Sequence, residues 1–530
     1  MLTLSVSNAI FTRTQLASIR SNPTQEQGRD VNQIRTKLTS VAPHTLKPWR
    51  IRFVAEQIFS NQGVYAVGVH AISDSLSSHR YTTLPWFGKS QAFRPTKVML
   101  LVPVTTLATR LTKKVKPPTT QEISEVSRLH HLTEGLVGTK LSAIVDPSVN
   151  DWTKRFSTQD ATSANVQEIT NLKTNLEVLS GTSANLPYGN ANLAALVASG
   201  KASELKGIKD VVGSTNGTTL FRAPLGNLDE RTLNLLVKQG ITPILRNESI
   251  SGTVRTTTPA LRSIAKKTVI ISDTAASQCF QDVTSNSSFS LVSSCLLSEI
   301  GMMTAESPGL PRTVSVIAPN FWNISTAYLR KLNSCFTTWS GTELISLKSV
   351  LQAQPIPVTD LTYGKPFPTS AKITSQATQL ASQTNLVASL IANRDWARQF
   401  RKARYIGYSV NWSSKALNLN YLQALNHQLA TMADSVQIQA AGRVTVSTNK
   451  TDVPITIANF GQYPAHVRVR LTSNSPGQLS SEPSALHDIP VGQRVTIPLQ
   501  VEVKGTGVIH ATAVILNPRG QQLGDAKNID

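Results

Sequence analysis

Seven polar residues stand at or just beyond the ends of short apolar runs: Asp146, Tyr188, Asn190, Arg222, Arg246, Asp273 and Asn320. Two of them are carboxylates. Carboxyl groups in unlike surroundings hold different pKa values, so Asp146 and Asp273 are candidates for a general acid and a general base. Arg222 and Arg246 carry forked donors suited to an anionic or sugar ligand. Tyr188, Asn190 and Asn320 would complete such a ligand site with neutral hydrogen-bonding groups. A plainer reading stands beside this one. Strand-to-helix loops are polar in any fold, and Asp146 before Pro147 also suits a turn or cap.

Other chemistry finds less support. His130 and His131 are adjacent, so on a helix they point about 100° apart and do not converge easily on one ion. There is no His-Glu-x-x-His and no cysteine pair for zinc. No metal and no cofactor is expected. Gly-x-Ser-x-Gly and a P-loop are absent, and no serine is tied by spacing to a histidine and an acid. Cys279 and Cys295 could bridge in an oxidising compartment; more often such residues, like Cys335, serve as small buried hydrophobes.

The elements that would position the seven residues follow from periodicity. Short apolar strands are expected at 97–104, 141–145, 184–188, 218–221, 241–245, 268–271, 313–318 and 344–347. Helical stretches lie between them, one opened by Asp229-Glu230-Arg231, one over 289–305, and one over 325–336 with Ser325 as N-cap. Repeated β–α alternation means parallel strands, since each needs a crossover. Seven or eight units suggest a (β/α) barrel-like domain over 95–380, with its functional face at the C-terminal strand ends. An open doubly wound sheet is the alternative, but no glycine-rich phosphate turn follows the first strand.

Residues 1–92 alternate with period two at Ile51–Val54 and Gly63–Val69, which suggests an N-terminal β-sandwich, one that the chain enters part-way. A helical segment over 381–434 is expected to pack on the barrel or to act as a spacer. Residues 435–530 alternate again, with turns at Asn459–Gly461 and Pro518–Gly520, as in an immunoglobulin-like β-sandwich. The fold class is therefore multidomain, a central α/β barrel flanked by two all-β domains.

Composition narrows the surroundings. The 530 residues are 40% hydrophobic and 16% charged, a globular balance. Lys plus Arg total 52 against 31 acids, a net charge of +21. Such a surface favours anionic partners. The basic residues are scattered, however, and the short clusters at Lys113–Lys116 and Arg398–Arg404 sit in no nucleic-acid-binding motif, so nucleic acid is not expected. Trp396–Tyr405 interleaves bases with aromatics and could lie on an anionic membrane surface, or simply end a packed helix.

The order of several segments resembles a family of actinobacterial envelope proteins of unknown function, often encoded beside the lipid II flippase. These segments are Gly63-Val64-Tyr65 with Leu84-Pro85-Trp86; Val145-Asp146-Pro147; Leu186-Pro187-Tyr188-Gly189 before Asn192–Leu196; the helix holding Glu299; Arg312–Trp322; and Val453–Ile457 with Asn459. The resemblance implies a polysaccharide-deacetylase-like barrel on the extracytoplasmic face of the plasma membrane, with a signal sequence and a C-terminal membrane helix. This chain shows neither, which suggests a late-called start or a split gene, or else a form without an anchor. Where the family pattern has acids after the Leu-Pro-Tyr-Gly turn, this chain has Asn190 and Asn192. The Asp-Asp and His-x-x-x-His sets of metal-dependent deacetylases are also missing. A non-catalytic binding or scaffold protein of cell-wall assembly is the expectation, with a wall precursor or polysaccharide as partner. A carbohydrate-active hydrolase or deacetylase is the alternative.

Overall fold

The computed structural model describes the chain except residues 38–48, 74–75, 89–91, 108–118, 157–162, 209–216, 227, 252–256, 265, 281–288, 359–360, 392, 440–441, 474–476, 506 and 530. The Lys113–Lys116 run lies outside the described residues. Two compact units are present, Met1–Phe367 and Pro368–Asp530.

The first unit opens with strands β1 (Leu2–Ile10), β2 (Arg29–Thr36), β3 (Gly63–Ser73) and β4 (Leu76–Trp86). They form one antiparallel sheet in the order β2-β1-β3-β4. Among the described residues this is a single sheet, where the sequence suggested a two-sheet sandwich. The reason is local. Thr12 accepts from the Gln15 backbone N–H and starts a helix, Arg13–Ser21, directly after β1. The apolar residues of that helix, Leu16 and Ile19, join Val64, Ala66 and Tyr81 of the sheet and Met302 in one core. The opposite face, with Leu4, Val6 and Tyr65, is covered by Phe59 and its neighbours. Helices and loops thus do the covering expected of a second sheet, and Ile51–Val54 is not a strand.

The barrel follows. Its parallel strands are β5 (Thr96–Val104), β6 (Ser142–Val145), β7 (Ala184–Asn185), β8 (Thr219–Arg222), β9 (Ile241–Arg246), β11 (Lys267–Ser272) and β12 (Thr313–Ile317). They run in the order β12-β5-β6-β7-β8-β9-β11, and the β11–β12 pairing at Ser272 and Ser315 closes the ring. The hairpin strand β10 (Leu261–Ile264), with β14 (Ile356–Val358) beyond it, extends the sheet outside the ring, and β13 (Thr342–Leu344) adds to β5. Alternation decides which side chains fill the interior. Met99, Leu101, Ile144, Leu220, Ile244, Ile270 and Ile317 point inward and pack together. Val98, Leu100, Val102, Val145, Val314 and Val316 face the surrounding helices.

In the second unit, strands β15 (Val436–Gln439), β16 (Lys450–Asn459), β20 (Arg494–Val503) and β18 (Leu479–Ser481) form one sheet. Strands β19 (His487–Ile489), β17 (Ala465–Ser473), β21 (Ala511–Leu516) and β22 (Gln522–Ile529) form the other. Inward-facing Ile455, Ile457, Val467, Val469, Ile497 and Leu499 make the core between them, as the period-two pattern required. The helices Ala371–Ile391, Arg394–Gly407 and Lys415–Asp434 belong to this unit. Leu390 enters the sandwich core, and Asn517 donates to the Ser389 hydroxyl at 2.7 Å. The helical segment is therefore part of the C-terminal body, where the sequence suggested a layer on the barrel or a spacer. Its amphipathic pattern marks a buried face but not the partner.

Candidate functional site at the mouth of the barrel

The C-terminal ends of the barrel strands carry the residues singled out by sequence. At the end of β6, Asp146 is an N-cap. Its Oδ1 accepts from the Ser148 backbone N–H and from that of Gly189, both at 2.9 Å. The second bond depends on a tight turn. Gly189 has φ 68° and Asn190 φ 47°, in the left-handed region that glycine enters freely and asparagine more readily than most residues. The Asp146 side chain is fully buried, and its Oδ2 has no hydrogen-bond partner among the described residues. Burial pushes the carboxyl up to about 7; the Ser148 and Gly189 bonds oppose that rise, and the charge of Asp151 adds to it. Tyr188 is buried and donates to Asp151 at 2.8 Å, so its hydroxyl is engaged. Asn190 is buried in the turn itself, and Asn320 is half-buried in the turn after β12.

Asp273, at the end of β11, is also an N-cap, accepting from the Ala276 backbone N–H at 2.9 Å. It has a second engagement. Arg13 donates to both of its oxygens, at 2.8 and 2.7 Å, in a forked pair buried on both sides. The Nε of Arg13 donates to Glu299 at 2.8 Å, and Arg20 of the same helix also pairs with Glu299. The cluster is stapled nearby by a disulfide, Cys279–Cys295, with Cα atoms 5.7 Å apart. The more common fate of such cysteines, as small hydrophobes, is not theirs here. Asp273 is thus spent on fastening the Arg13–Ser21 helix to the barrel. It also lies outside the ring: Ile270 and Ser272 point inward, so the next residue points out. Asp146 and Asp273 stand on β6 and β11, which β5 and β12 separate. The structure does not bring the two carboxylates together as an acid–base pair.

It does bring the arginines together. Arg222 ends β8 and Arg246 ends β9, on the inward register of Leu220 and Ile244. Both line a cavity of about 60 Å3 with Ser272, Thr274, Ser277 and Gln278. Gly226 makes room: a Cβ there would lie 2.7 Å from Cδ of Arg246. Arg222 donates to the Ala318 carbonyl at 3.4 Å and meets no carboxylate among the described residues. Burial, and then the charge of Arg246, push its guanidinium down to about 10. Arg246 reaches Glu248 only at 4.0 Å. Among the described residues these two neighbouring cations meet little counter-charge at the cavity, an arrangement that could hold an anion. Sequence reasoning named the arginines but missed Ser272, Ser277 and Gly226. For Ser272 the signal was the period of two from Ile270.

His130 and His131 share one helix, and among the described residues no group of metal-ligating side chains converges. In the Arg394–Gly407 helix, Trp396, Phe400 and Tyr405 are buried, so its aromatic face is already used in packing. No described helix is long and apolar enough to cross a membrane.

Over residues 2–530 the sequence matches the model of a family of unknown function, DUF6049. The chain belongs to this family. No curated protein matches it in sequence. Among solved structures, the DUF6049 chain is similar to the α-amylase AmyC of Thermotoga maritima at 7% identity and a TM-score of 0.44, over 64% of this chain and 93% of that one. The GH57-type branching enzyme of Pyrococcus horikoshii gives 9% identity and a TM-score of 0.44, over 64% and 89%. The 4-α-glucanotransferase of Thermococcus litoralis gives 8% and 0.41, over 80% and 85%.

Proposed function

We propose that this protein is a binding or scaffold protein of the cell envelope, with a barrel mouth that is not a catalytic centre and holds an anionic group of a wall polysaccharide or wall precursor. The observation that carries this reading is the convergence of Arg222 and Arg246 on a cavity where Arg222 has no acidic partner among the described residues. The cavity takes one oxyanion, a carboxylate or phosphate, of a larger ligand. A net charge of +21 favours the approach of such a polymer. The Cys279–Cys295 disulfide suits an oxidising, extracytoplasmic compartment. The alternative, a carbohydrate-active hydrolase or deacetylase, rests on Asp146, whose raised pKa suits a general acid. It is the weaker reading because Asp273, the other candidate carboxylate, is consumed by Arg13. The test is co-sedimentation with purified cell walls that retain their anionic polymers. Wild type is expected to sediment and Arg222→Ala to remain in solution. Equal sedimentation of the two, or release of reducing sugar from the walls, would overturn the proposal.

A further inference from the structure

The N-terminal sheet brings together three residues that sequence spacing kept apart. Asp30 lies on β2, His70 on β3 and Ser77 on β4. The Ser77 Oγ is 2.8 Å from Nε2 of His70, and Nδ1 of His70 is 2.7 Å from Oδ2 of Asp30. The pairing explains the convergence. His70 lies opposite His79, and Ser77 is two residues from His79 on the same face. Asp30 lies opposite Ser5, which lies opposite Gly68 on the face of His70. The His79 ring stacks on His70 at 3.9 Å and fixes its plane.

We propose that Ser77, His70 and Asp30 form a nucleophilic triad that cleaves esters at the protein surface. The geometry is that of an activated serine: a hydroxyl bonded to one imidazole nitrogen, and a carboxylate holding the other. In the first step the Ser77 Oγ forms a bond to the acyl carbon of the ester, and its proton passes to Nε2 of His70. The ester C–O bond then breaks, and the leaving alkoxide takes that proton. In the second step His70 accepts a proton from water as its oxygen attacks the acyl-serine; the acid is released, and the proton returns to Ser77. Asp30 holds the tautomer and offsets the imidazolium charge. Ser77 is exposed and open to substrate from solvent, and esters, with their better leaving groups, react with an activated serine more readily than amides do. Ile72, directly opposite Ser77 and 40% exposed, offers an apolar contact for the acyl part. This activity is independent of anion binding at the barrel mouth.

The experiment treats the full chain with a fluorophosphonate probe, locates the adduct by peptide mass, and measures hydrolysis of p-nitrophenyl acetate and butyrate. The expected result is an adduct on Ser77. Hydrolysis should fall at least about 100-fold in Ser77→Ala and His70→Ala, the usual range for loss of a nucleophile or general base. Asp30→Asn should weaken hydrolysis while leaving Ser77 able to react. Thermal unfolding of Ser77→Ala should match wild type, which separates lost chemistry from lost folding. No adduct on Ser77, or hydrolysis unchanged in Ser77→Ala, would overturn the proposal.

Discussion

The ends of β6 and β11 look alike in sequence and differ in structure. Each is an apolar strand followed by an aspartate that caps a helix, Asp146 before Pro147–Thr153 and Asp273 before Thr274–Gln278. Asp273 is met by the forked guanidinium of Arg13, supplied 260 residues away in the chain. Asp146 meets neutral donors from Ser148 and Gly189 and no cation among the described residues, and its carboxyl rises to about 7. The same local signal therefore gives a fastening in one place and an uncompensated acid in the other. What separates them is a long-range partner, which no local pattern carries.

That contrast can be tested by removing the partner. Arg13→Ala leaves Asp273 buried without its cation and Glu299 with Arg20 alone. Breaking a buried pair in this way costs about 3–5 kcal/mol, and chemical denaturation of the first unit should register it. Next in size among the losses is the disulfide. Cys279→Ser with Cys295→Ser opens a loop whose ends are 16 residues apart, worth about 3 kcal/mol. The midpoint of unfolding should fall accordingly, and reducing agent should reproduce the fall in wild type.

Asp146 should respond in the opposite sense. Between the ordinary carboxylate value and about 7, the folded chain binds a proton that the unfolded chain has released. Its contribution is full below about pH 4 and is lost as pH rises to about 7. Asp146→Asn keeps an acceptor for Ser148 and Gly189 and removes the titration. It should therefore raise stability at pH 8 by up to about 4 kcal/mol, and change it little at pH 4. Destabilisation at pH 8 would mean that the bare Oδ2 has a partner in solution. The smallest effect is expected at the arginines. Arg222→Met relieves burial of a charge beside Arg246 and should raise the melting temperature by about 2 °C, while abolishing anion binding.

Much of the architecture was legible because it is written locally. The alternation of strands and helices from Thr96 onward places six of the seven ring strands within a residue or two, and the remaining one, the short β7, stands at the start of the expected 184–188 run. Period two in Val467–Leu471 and Val495–Val503 marks the sandwich core. The N-terminal region was harder, because what covers its sheet is the Arg13–Ser21 helix and a barrel helix, which leave no alternation in sequence. The site was half legible. Arg222 and Arg246 follow from strand register. The loss of Asp273 to Arg13, and the meeting of Asp30, His70 and Ser77, depend on contacts between distant segments.

The central claim is that the arginines at the barrel mouth, and not the bulk positive charge, recognise the ligand. Calorimetric titration of soluble peptidoglycan fragments bearing anionic groups, repeated across a salt series, separates the two. A built site predicts saturable binding that survives moderate salt and disappears in both Arg222→Ala and Arg246→Ala. Binding that decays uniformly with salt, and equally in wild type and both variants, would contradict it.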